Sequence, residues 1–431
     1  MAVDFSLFPP EQTLPHAGPS KWLWAVVFFG LTLIGVSVVL VLWPGNEPTR
    51  TAWFWVCLLI YPMGFAAFAV SRRFSVYEGR RLDAQEWNAA RERHIEEVFA
   101  GASVPLAVLG CTHMFTGDDS NGSIEALEQS KVTLKSQPSI AQSGMVVARW
   151  LSPGVLDSSK WLRGPDAARQ AQVLEWLYER LLDQLAGALV ALPAALPLTV
   201  RLSVVADALE IDAAVLWETC WRSRQPRVGS VLVEVASPHL MTVDAWLDSN
   251  EESLRKQATL LVTIQLNPIL SQDPPAGSAE AGAAVLFVPL AIAESYSQKP
   301  VAFIHRPMSG TLDELDQTLA YALRWGTSDA VSVARVWLNG IAPDAVARLH
   351  RALSSAGLTG ERNESVREID MDQTVGRAGA ADPWLSLTCA ALSAKRSGAK
   401  QLLIEQRAEK IVAAIVAPAS PAKISQPGAR T

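Results

Sequence analysis

The sequence predicts an α/β protein in which a transmembrane helical hairpin precedes a layered α/β domain. Two uncharged apolar runs lie close together near the start of the chain, at residues 22–43 and 52–70. After residue 100, short apolar runs typical of buried strands alternate with amphipathic stretches typical of helices. Roughly 330 residues follow the apolar runs, which suits one large domain or two fused halves.

The two apolar runs are predicted to cross a membrane. Each is close to the ~20 residues that a helix needs to span the hydrocarbon of a bilayer. A cleaved secretory signal would need a basic start and a small-residue cleavage site, but the preceding segment carries Asp4 and Glu11, with only Lys21 at its end. Aromatic residues of the kind found at membrane interfaces bracket the first run and open the second: Trp22, Trp24, Trp43, Trp53, Trp55 and Tyr61.

Basic residues predict the orientation of the hairpin. One arginine, Arg50, lies between the runs, whereas Arg72, Arg73, Arg80, Arg81, Arg91 and Arg93 follow the second. The positive-inside bias then places both termini in the cytoplasm of a bacterium, with the hairpin in its inner membrane. The alternative is that these arginines coat an amphipathic juxtamembrane helix over residues 73–99 and carry no information on topology.

We therefore expect six segments along the chain. They are a cytoplasmic N-terminal segment (1–21), the two-helix hairpin (22–70), a juxtamembrane helix (71–100), two halves of an α/β domain (101–275 and 276–417) and a disordered tail (418–431).

Strand and helix patterns follow one another through the first half. Apolar runs predict strands at 104–110, 198–207, 228–236 and 259–267. Between the first two, leucines at helical spacing predict a helix over 171–192, which Pro193 closes. The proline- and glycine-rich stretch 271–282 is interpreted as a linker between the halves.

The second half repeats this alternation. Strands are expected at 284–293, 300–306 and 331–340, and two more around a polar turn within 402–418. Thr311 and Glu314 have the spacing of a capping box that opens a helix. Further helices are expected at 344–358 and 382–395.

Composition excludes several classes of function. The net charge of −6 argues against nucleic acid as the main partner, because phosphate binding needs a concentrated basic face. The four cysteines lie far apart and form no CxxC motif, which suits a reducing compartment. The histidines are scattered and no phosphate-binding glycine motif is present, so we expect neither a metal nor a cofactor.

Three segments of the second half resemble the thiolase-like (β-ketoacyl synthase) fold. SAEAGAAVLFV stands where those enzymes carry a glycine-alanine-rich turn entering a central strand, VWLNG where a strand ends near an active-site residue, and QTVGRAGAADPWLSLTCAAL where a glycine-rich loop enters a buried helix. The resemblance covers the chain well from Ala279 onward and the earlier half only vaguely. It implies a thiolase-like domain of two related halves.

The departures from that family are informative. Its condensing enzymes use a nucleophilic cysteine and two histidines. Here no histidine follows Asn339, and Arg377 occupies the position where the family loop has histidine. Guanidinium stays protonated and cannot shuttle a proton. The resemblance therefore implies a degenerate domain, a pseudoenzyme that has lost condensation chemistry.

Two cysteines are the candidate nucleophiles. Cys220 lies beside Arg222 and Arg224, which could lower the pKa of its thiol, although it equally suits a helix face packing tryptophans. Cys111 precedes His113 by two residues, so a dyad on one side of a strand is conceivable; a turn at the end of the strand is the other interpretation. Cys389 lies in an apolar helix and is expected in the core.

The leading hypothesis is a membrane-anchored adaptor or scaffold whose cytoplasmic domain binds a protein partner. The span segment also resembles uncharacterised membrane proteins found with type VI secretion components, which would make the partner a secreted effector. The alternative is a membrane-tethered acyl-transfer enzyme with a cysteine nucleophile. A third hypothesis is a structural homodimer, since thiolase-like domains commonly pair through a sheet edge.

Overall fold

A computed structural model describes residues 3, 7–14, 18–117, 122–153, 164–224, 227–249, 256–294, 299–359 and 366–419. The chain divides into two compact units, one of residues Val3–Ala100 and one that begins at Gly101. Each is described by itself.

The first unit contains two long helices, α1 (Lys21–Leu42) and α2 (Ala52–Ala102). Both are long and apolar enough to cross a membrane. The side chains of Ser20 and Thr51 accept hydrogen bonds from the first turns of α1 and α2, which defines where each helix begins. A π-helical stretch, Val56–Ile60, lies inside α2. The second predicted span and the predicted juxtamembrane helix are thus parts of one continuous helix.

Close contacts join the two helices of the hairpin. A Cβ atom added to Gly35 would lie 2.7 Å from Cβ of Pro62, so only glycine allows this approach. At the other end of α1, the rings of Trp43 and Phe54 meet edge to face with centroids 4.9 Å apart.

The segment before α1 lies along the polar part of α2. Arg91 donates from Nε to the Pro9 carbonyl at 2.7 Å, and Trp87 donates from Nε1 to the Pro10 carbonyl at 3.2 Å. Arg91, one of the arginines that predicted the orientation, therefore also holds the N-terminal segment.

The second unit is built on strands with helices between them. The strands are β1 (Leu106–Met114), β2 (Ser136–Pro138), β3 (Met145–Val147), β4 (Leu198–Ala206), β5 (Ser230–Val233), β6 (Ala258–Leu266), β7 (Ala281–Pro289), β8 (Ala302–Ile304), β9 (Met308–Thr311), β10 (Val333–Asn339), β11 (Arg367–Asp370), β12 (Lys400–Arg407) and β13 (Lys410–Pro418). The helices are α3 (Ile124–Glu128), α4 (Asp166–Val190), α5 (Ala213–Arg224), α6 (Met241–Asp248), α7 (Leu290–Glu294), α8 (Leu315–Trp325), α9 (Val346–Ser355), α10 (Met371–Thr374) and α11 (Asp382–Ser397).

The main sheet contains the same strand order twice. One set runs β5-β4-β6-β7-β1 and the other β11-β10-β12-β13-β8, so each places its members in the order third, second, fourth, fifth, first. In both sets the fifth strand is antiparallel to its neighbours, while the second pairs in parallel with the third and fourth. β8 pairs with β1 and joins the sets. The prediction of an α/β domain with two related halves is confirmed.

The division between the halves lies later than the predicted position at residues 275 and 276. β7 completes the first set of strands, so the change to the second set falls between Pro289 and Ala302. The stretch 271–282 is also not a free linker. The Ala279 amide donates to the Arg377 carbonyl, and Glu280 is fully buried.

Two helices organise the core on either side of the sheet. The predicted leucine stripe of α4 is buried, which confirms the helix and its core face. α11 is buried nearly all round through most of its length, Cys389 included, as expected of a helix enclosed between layers. The capping box formed by Thr311 and Glu314 is present and opens α8 through one 3₁₀ turn.

Some boundaries differ from the prediction. β1 continues to Met114, so Cys111 and His113 lie within the strand and not in a turn after it. Residues 290–294 form helix α7 instead of continuing a strand, because the chain turns after Pro289. Most of the tail predicted to be disordered, residues 420–431, lies outside the described residues.

Candidate functional site

A cavity of about 300 Å³ opens at the carboxyl ends of β10 and β12. Asn339 and Glu405 are direct neighbours in the parallel register of these strands. The edge of a sheet where parallel strands end is the usual place for a site in α/β proteins. The lining residues are Ser237, Pro238, Asn339, Gly340, Gly379, Ala380, Asp382, Pro383, Glu405, Gln406 and Arg407.

Glycines let the backbone close around this cavity. Gly340 has φ +66°, and a Cβ there would lie 2.9 Å from the Gln406 carbonyl oxygen. Gly379 has φ +52°, and its Cβ would lie 2.6 Å from Oε1 of Gln265. A side chain at either position would require both a strained backbone and a displaced neighbour, so both turns favour glycine.

Two carboxyl groups give the cavity its chemistry. Burial raises the pKa of Asp382 to about 8. The Ala378 amide donates a hydrogen bond to Oδ1 of Asp382 and opposes this shift, whereas the nearby charges of Asp372 and Glu405 add to it. Burial also raises the pKa of Glu405 to about 6, against the amide of Leu240 and the charge of Arg407. At neutral pH Asp382 is therefore mostly protonated and Glu405 mostly ionised.

Asn339 is also among the residues that line the cavity. Its side chain is 4% exposed, and no described residue donates a hydrogen bond to its Oδ1. Buried polar atoms in proteins are nearly always paired. Arg407 is exposed where it lines the cavity. The lining thus combines two carboxyl groups with a cation that solvent reaches.

Arg377 is not part of this cavity. Its guanidinium donates to the Ala276 carbonyl at 3.1 Å, and its backbone amide donates to the Gly277 carbonyl at 2.8 Å. Of the two positions that match the family site in the sequence, the structure places Asn339 in the cavity and Arg377 on a neighbouring loop.

Cys111 and His113 line a separate cavity of about 280 Å³. Nε2 of His113 lies 3.1 Å from the Gly122 carbonyl, and Sγ of Cys111 lies 4.0 Å from the Thr388 carbonyl. Burial lowers the pKa of His113 to about 4 and raises that of Cys111 to about 12, with Lys395 opposing the latter shift. The two side chains share a cavity, but the thiol keeps its proton and the imidazole is a weak base.

Cys220 lies in α5 and is buried beside Trp217 and Trp221. Burial raises the pKa of the Cys220 thiol to about 11. Glu175 and Glu179 add to this shift, and Arg224 opposes it only in part. Arg224 is paired with Glu179 and Asp183. Burial and the nearby glutamates outweigh Arg224, so the thiol keeps its proton, and the packing of Cys220 against tryptophans agrees with the alternative interpretation of this helix face.

No group of three or more His, Cys, Asp or Glu side chains that could hold a metal ion occurs among the described residues. Asp382, Glu405 and Arg407 were not predicted to line a cavity. Asp382 was predicted only as the start of a helix, and the other two as the end of a strand before a polar turn. One feature of the sequence could have indicated this cavity: Asn339 and Glu405 lie at or near the ends of two apolar runs that were predicted to be strands.

Comparison with known proteins identifies the fold. No family model and no curated protein matches the chain. Among solved structures, the ishigamide ketosynthase/chain length factor is 15% identical, with a TM-score of 0.50 over 73% of this chain and 99% of that one. The ketosynthase from module 1 of the bacillaene synthase of Bacillus amyloliquefaciens FZB42 is 12% identical, with a TM-score of 0.52 over 74% and 76%.

A further ketosynthase, the twelfth of the bacillaene polyketide synthase in Bacillus amyloliquefaciens, is 10% identical, with a TM-score of 0.51 over 73% of each chain. At these identities the likeness establishes the fold and carries no activity with it. The second unit therefore has the thiolase-like, ketosynthase-like fold that the sequence predicted.

Proposed function

We propose that this chain is a membrane-anchored adaptor whose thiolase-like domain binds a protein partner and does not condense acyl groups. One observation carries the proposal. Among the described residues, those that line the cavity at the ends of β10 and β12 include neither cysteine nor histidine. Condensation by this family needs a thiolate nucleophile and imidazoles that stabilise or move charge. The carboxyl and amide groups of Asp382, Glu405 and Asn339 cannot supply that nucleophile.

An exposed sheet edge supports protein binding. β5 ends the first set of strands, and within the part of the chain that the structure describes it pairs on one side only, with β4. Leu232 and Val233 on this strand are 48% and 59% exposed. Trp217 and Trp221 line an adjoining groove of about 520 Å³. An unpaired edge with apolar side chains is a template for another chain.

The anchor suits such a role because tethering raises the local concentration of whatever the domain binds. We place the hairpin in a bacterial inner membrane with both termini in the cytoplasm, a topology supported by the arginine distribution. The proposal that the partner is a type VI effector is supported only by the sequence of the span segment.

Co-purification of the full chain in detergent tests the adaptor proposal. Three baits are compared: the wild type, Leu232→Lys on the edge of β5, and Val331→Lys as a control, since Val331 is also an exposed apolar residue. We expect a protein that is recovered with the wild type and the control but lost with Leu232→Lys. Recovery of no protein above background, or equal recovery with all three baits, would contradict binding at this edge.

The shared cavity of Cys111 and His113 favours a second candidate, the acyl-transfer enzyme. Iodoacetamide labelling distinguishes the two. Because burial raises the pKa of the Cys111 thiol, the adaptor predicts slow labelling at neutral pH, with little difference between the wild type and Cys111→Ser. Fast labelling that Cys111→Ser abolishes, and that an acyl thioester prevents, would establish the enzyme instead.

A further inference from the structure

We propose that a cavity beside β1 binds an extended peptide with acidic side chains, which joins the main sheet as an additional strand. The cavity has a volume of about 450 Å³. This inference goes beyond the adaptor function, which concerns β5 at the end of the sheet, whereas β1 lies in the middle of the strand order. The two proposals can therefore fail separately.

The cavity continues the line of strand β8. This strand lies between β1 and β13, and Ala302 is paired with Val108 on one side and with Pro418 on the other. β8 has only three residues, and Pro300 before it has no N–H group with which to extend the ladder. The space beyond Ala302 is the cavity, which we name the β1 slot.

The walls of the β1 slot give it the width of one strand. Cys111 of β1 lines one side, and Ala419, which follows β13, lines the other. Helix α4 covers one face of the slot through Leu185, and α11 covers the other through Leu392. Because a single strand fills the same space at Ala302, the slot suits an extended chain.

The backbone of β1 offers hydrogen bonds to such a chain. Residues 110–114 of β1 pair with β7, but within the described residues the pairing of β1 with β8 stops at Val108. In an antiparallel pair, alternate residues direct their N–H and C=O groups away from the partner strand. This part of β1 therefore presents backbone groups toward the slot, as in proteins that bind a peptide by strand addition.

Two lysines determine which peptide fits. Lys299 and Lys395 are the charged residues of the lining, and both are exposed. Neither forms an ion pair within the described part of the chain. Burial raises the pKa of Cys111 and Lys395 opposes this shift, so the charge of Lys395 acts within the slot. Ammonium groups pair with carboxylates, and an acidic peptide is therefore complementary to the slot.

Other occupants complement the slot less well. Residues 420–431 of this chain carry Lys423 and Arg430 and no acidic side chain, so they would bring like charges to the two lysines. A small aliphatic carboxylate would pair with the lysines but leave the backbone groups of β1 without partners.

Fluorescence anisotropy with the detergent-solubilised full chain tests the proposal. The probe is the amidated pentapeptide ETVTE labelled with fluorescein. Two peptides serve as comparisons: KTVTK, which reverses the charge, and ETVTE methylated on the backbone nitrogens of its three central residues, which cannot donate to a strand. Each should bind at least about tenfold more weakly than ETVTE.

A charge reversal in the protein provides the matching test. Lys299→Glu/Lys395→Glu should raise the dissociation constant of ETVTE at least about tenfold and should bind KTVTK more tightly than the wild type does. Such an exchange of preference cannot result from misfolding. Lys135→Glu/Lys410→Glu changes two exposed lysines outside the lining and should leave the binding of ETVTE unchanged.

Photo-cross-linking locates the peptide. With benzoylphenylalanine in place of the central valine, we expect cross-links to residues 109–111 and to Leu392. The proposal is overturned if ETVTE shows no saturable binding up to about 1 mM, if the methylated peptide binds equally well, or if the charge reversal leaves both peptides unaffected. Cross-links to β5 would place the peptide at the edge assigned to the adaptor function and would also overturn it. Tighter binding by a variant that ends at residue 419 would assign the slot to residues 420–431 instead.

Discussion

At the scale of single residues, the strongest constraint is an ion pair between Arg169 and Glu280. Both side chains are fully buried, with Nη2 and Oε2 2.6 Å apart. The glutamate also accepts from the amides of Leu151 and Asn267, each at 2.9 Å. A buried charge is tolerated only when it is paired and hydrogen-bonded in this way, so the pair ties α4 to the start of β7.

Glu280→Gln is expected to destabilise the second unit by about 3–5 kcal/mol, because Arg169 would keep its charge without a counter-ion. Thermal unfolding followed by circular dichroism measures the loss. Arg348→Ala is the control, since its pair with Asp313 is exposed and surface pairs contribute little. An equal change in both variants would show that the buried pair is not a determinant of stability.

The raised pKa of Asp382 predicts how stability depends on pH. The folded state keeps this proton up to about pH 8, whereas the unfolded chain releases it near 3.8, so raising the pH through this interval favours unfolding. Asp382→Asn cannot ionise. The variant should therefore be more stable than the wild type at pH 8 and similar to it at pH 4. Melting curves across this range measure the difference, and parallel curves for the two proteins would contradict the assignment.

At the scale of secondary-structure elements, local patterns and tertiary contacts contribute differently. The capping box of Thr311 and Glu314 and the leucine stripe of α4 follow from residues three or four positions apart, and both were predicted. The length of β1 was not, because Gly110, Thr112 and His113 interrupt its apolar run, and pairing with β7 holds this part of the strand. Residues 290–294 form a short helix where a strand was predicted. Apolar composition alone does not separate a short strand from a short helix.

The edge strand β5 makes a prediction about self-association. The homodimer hypothesis would place a second copy on this edge, whereas the adaptor proposal places a different protein there. We expect a monomeric mass for the solubilised chain by light scattering corrected for detergent. A dimeric mass that becomes monomeric with Leu232→Lys would assign the edge to a second copy and contradict its use by another protein.

At the scale of the whole molecule, the chain combines a hydrophobic hairpin with a thiolase-like domain. Two helices of the hairpin are long and apolar enough to cross a bilayer. The arginines after the second apolar run predict, under the proposed function, that the domain lies in the cytoplasm.

Reporter fusions test this topology. Alkaline phosphatase inserted in the loop at residues 44–50 should be active, because we expect that loop outside the cytoplasm, and the same reporter after residue 419 should be inactive. Green fluorescent protein at these positions should show the opposite pattern. Activity of the phosphatase after residue 419 would place the domain outside the cytoplasm and overturn the proposed topology.

From the sequence we could predict two helices long and apolar enough to cross a membrane, the alternation of strands and helices, the capping box and, by resemblance, the thiolase-like fold. These depend on the spacing of apolar residues along the chain and on motifs of neighbouring residues. The folded chain was needed to show that residues 271–282 are held within the domain and that β7 completes the first half. It was also needed to show that Asn339, Asp382 and Glu405 line one cavity while Arg377 lies outside it. These features depend on ion pairs, strand pairing and burial between residues far apart in sequence, such as Arg169 and Glu280, and the spacing of residues along the chain carries no information about such contacts.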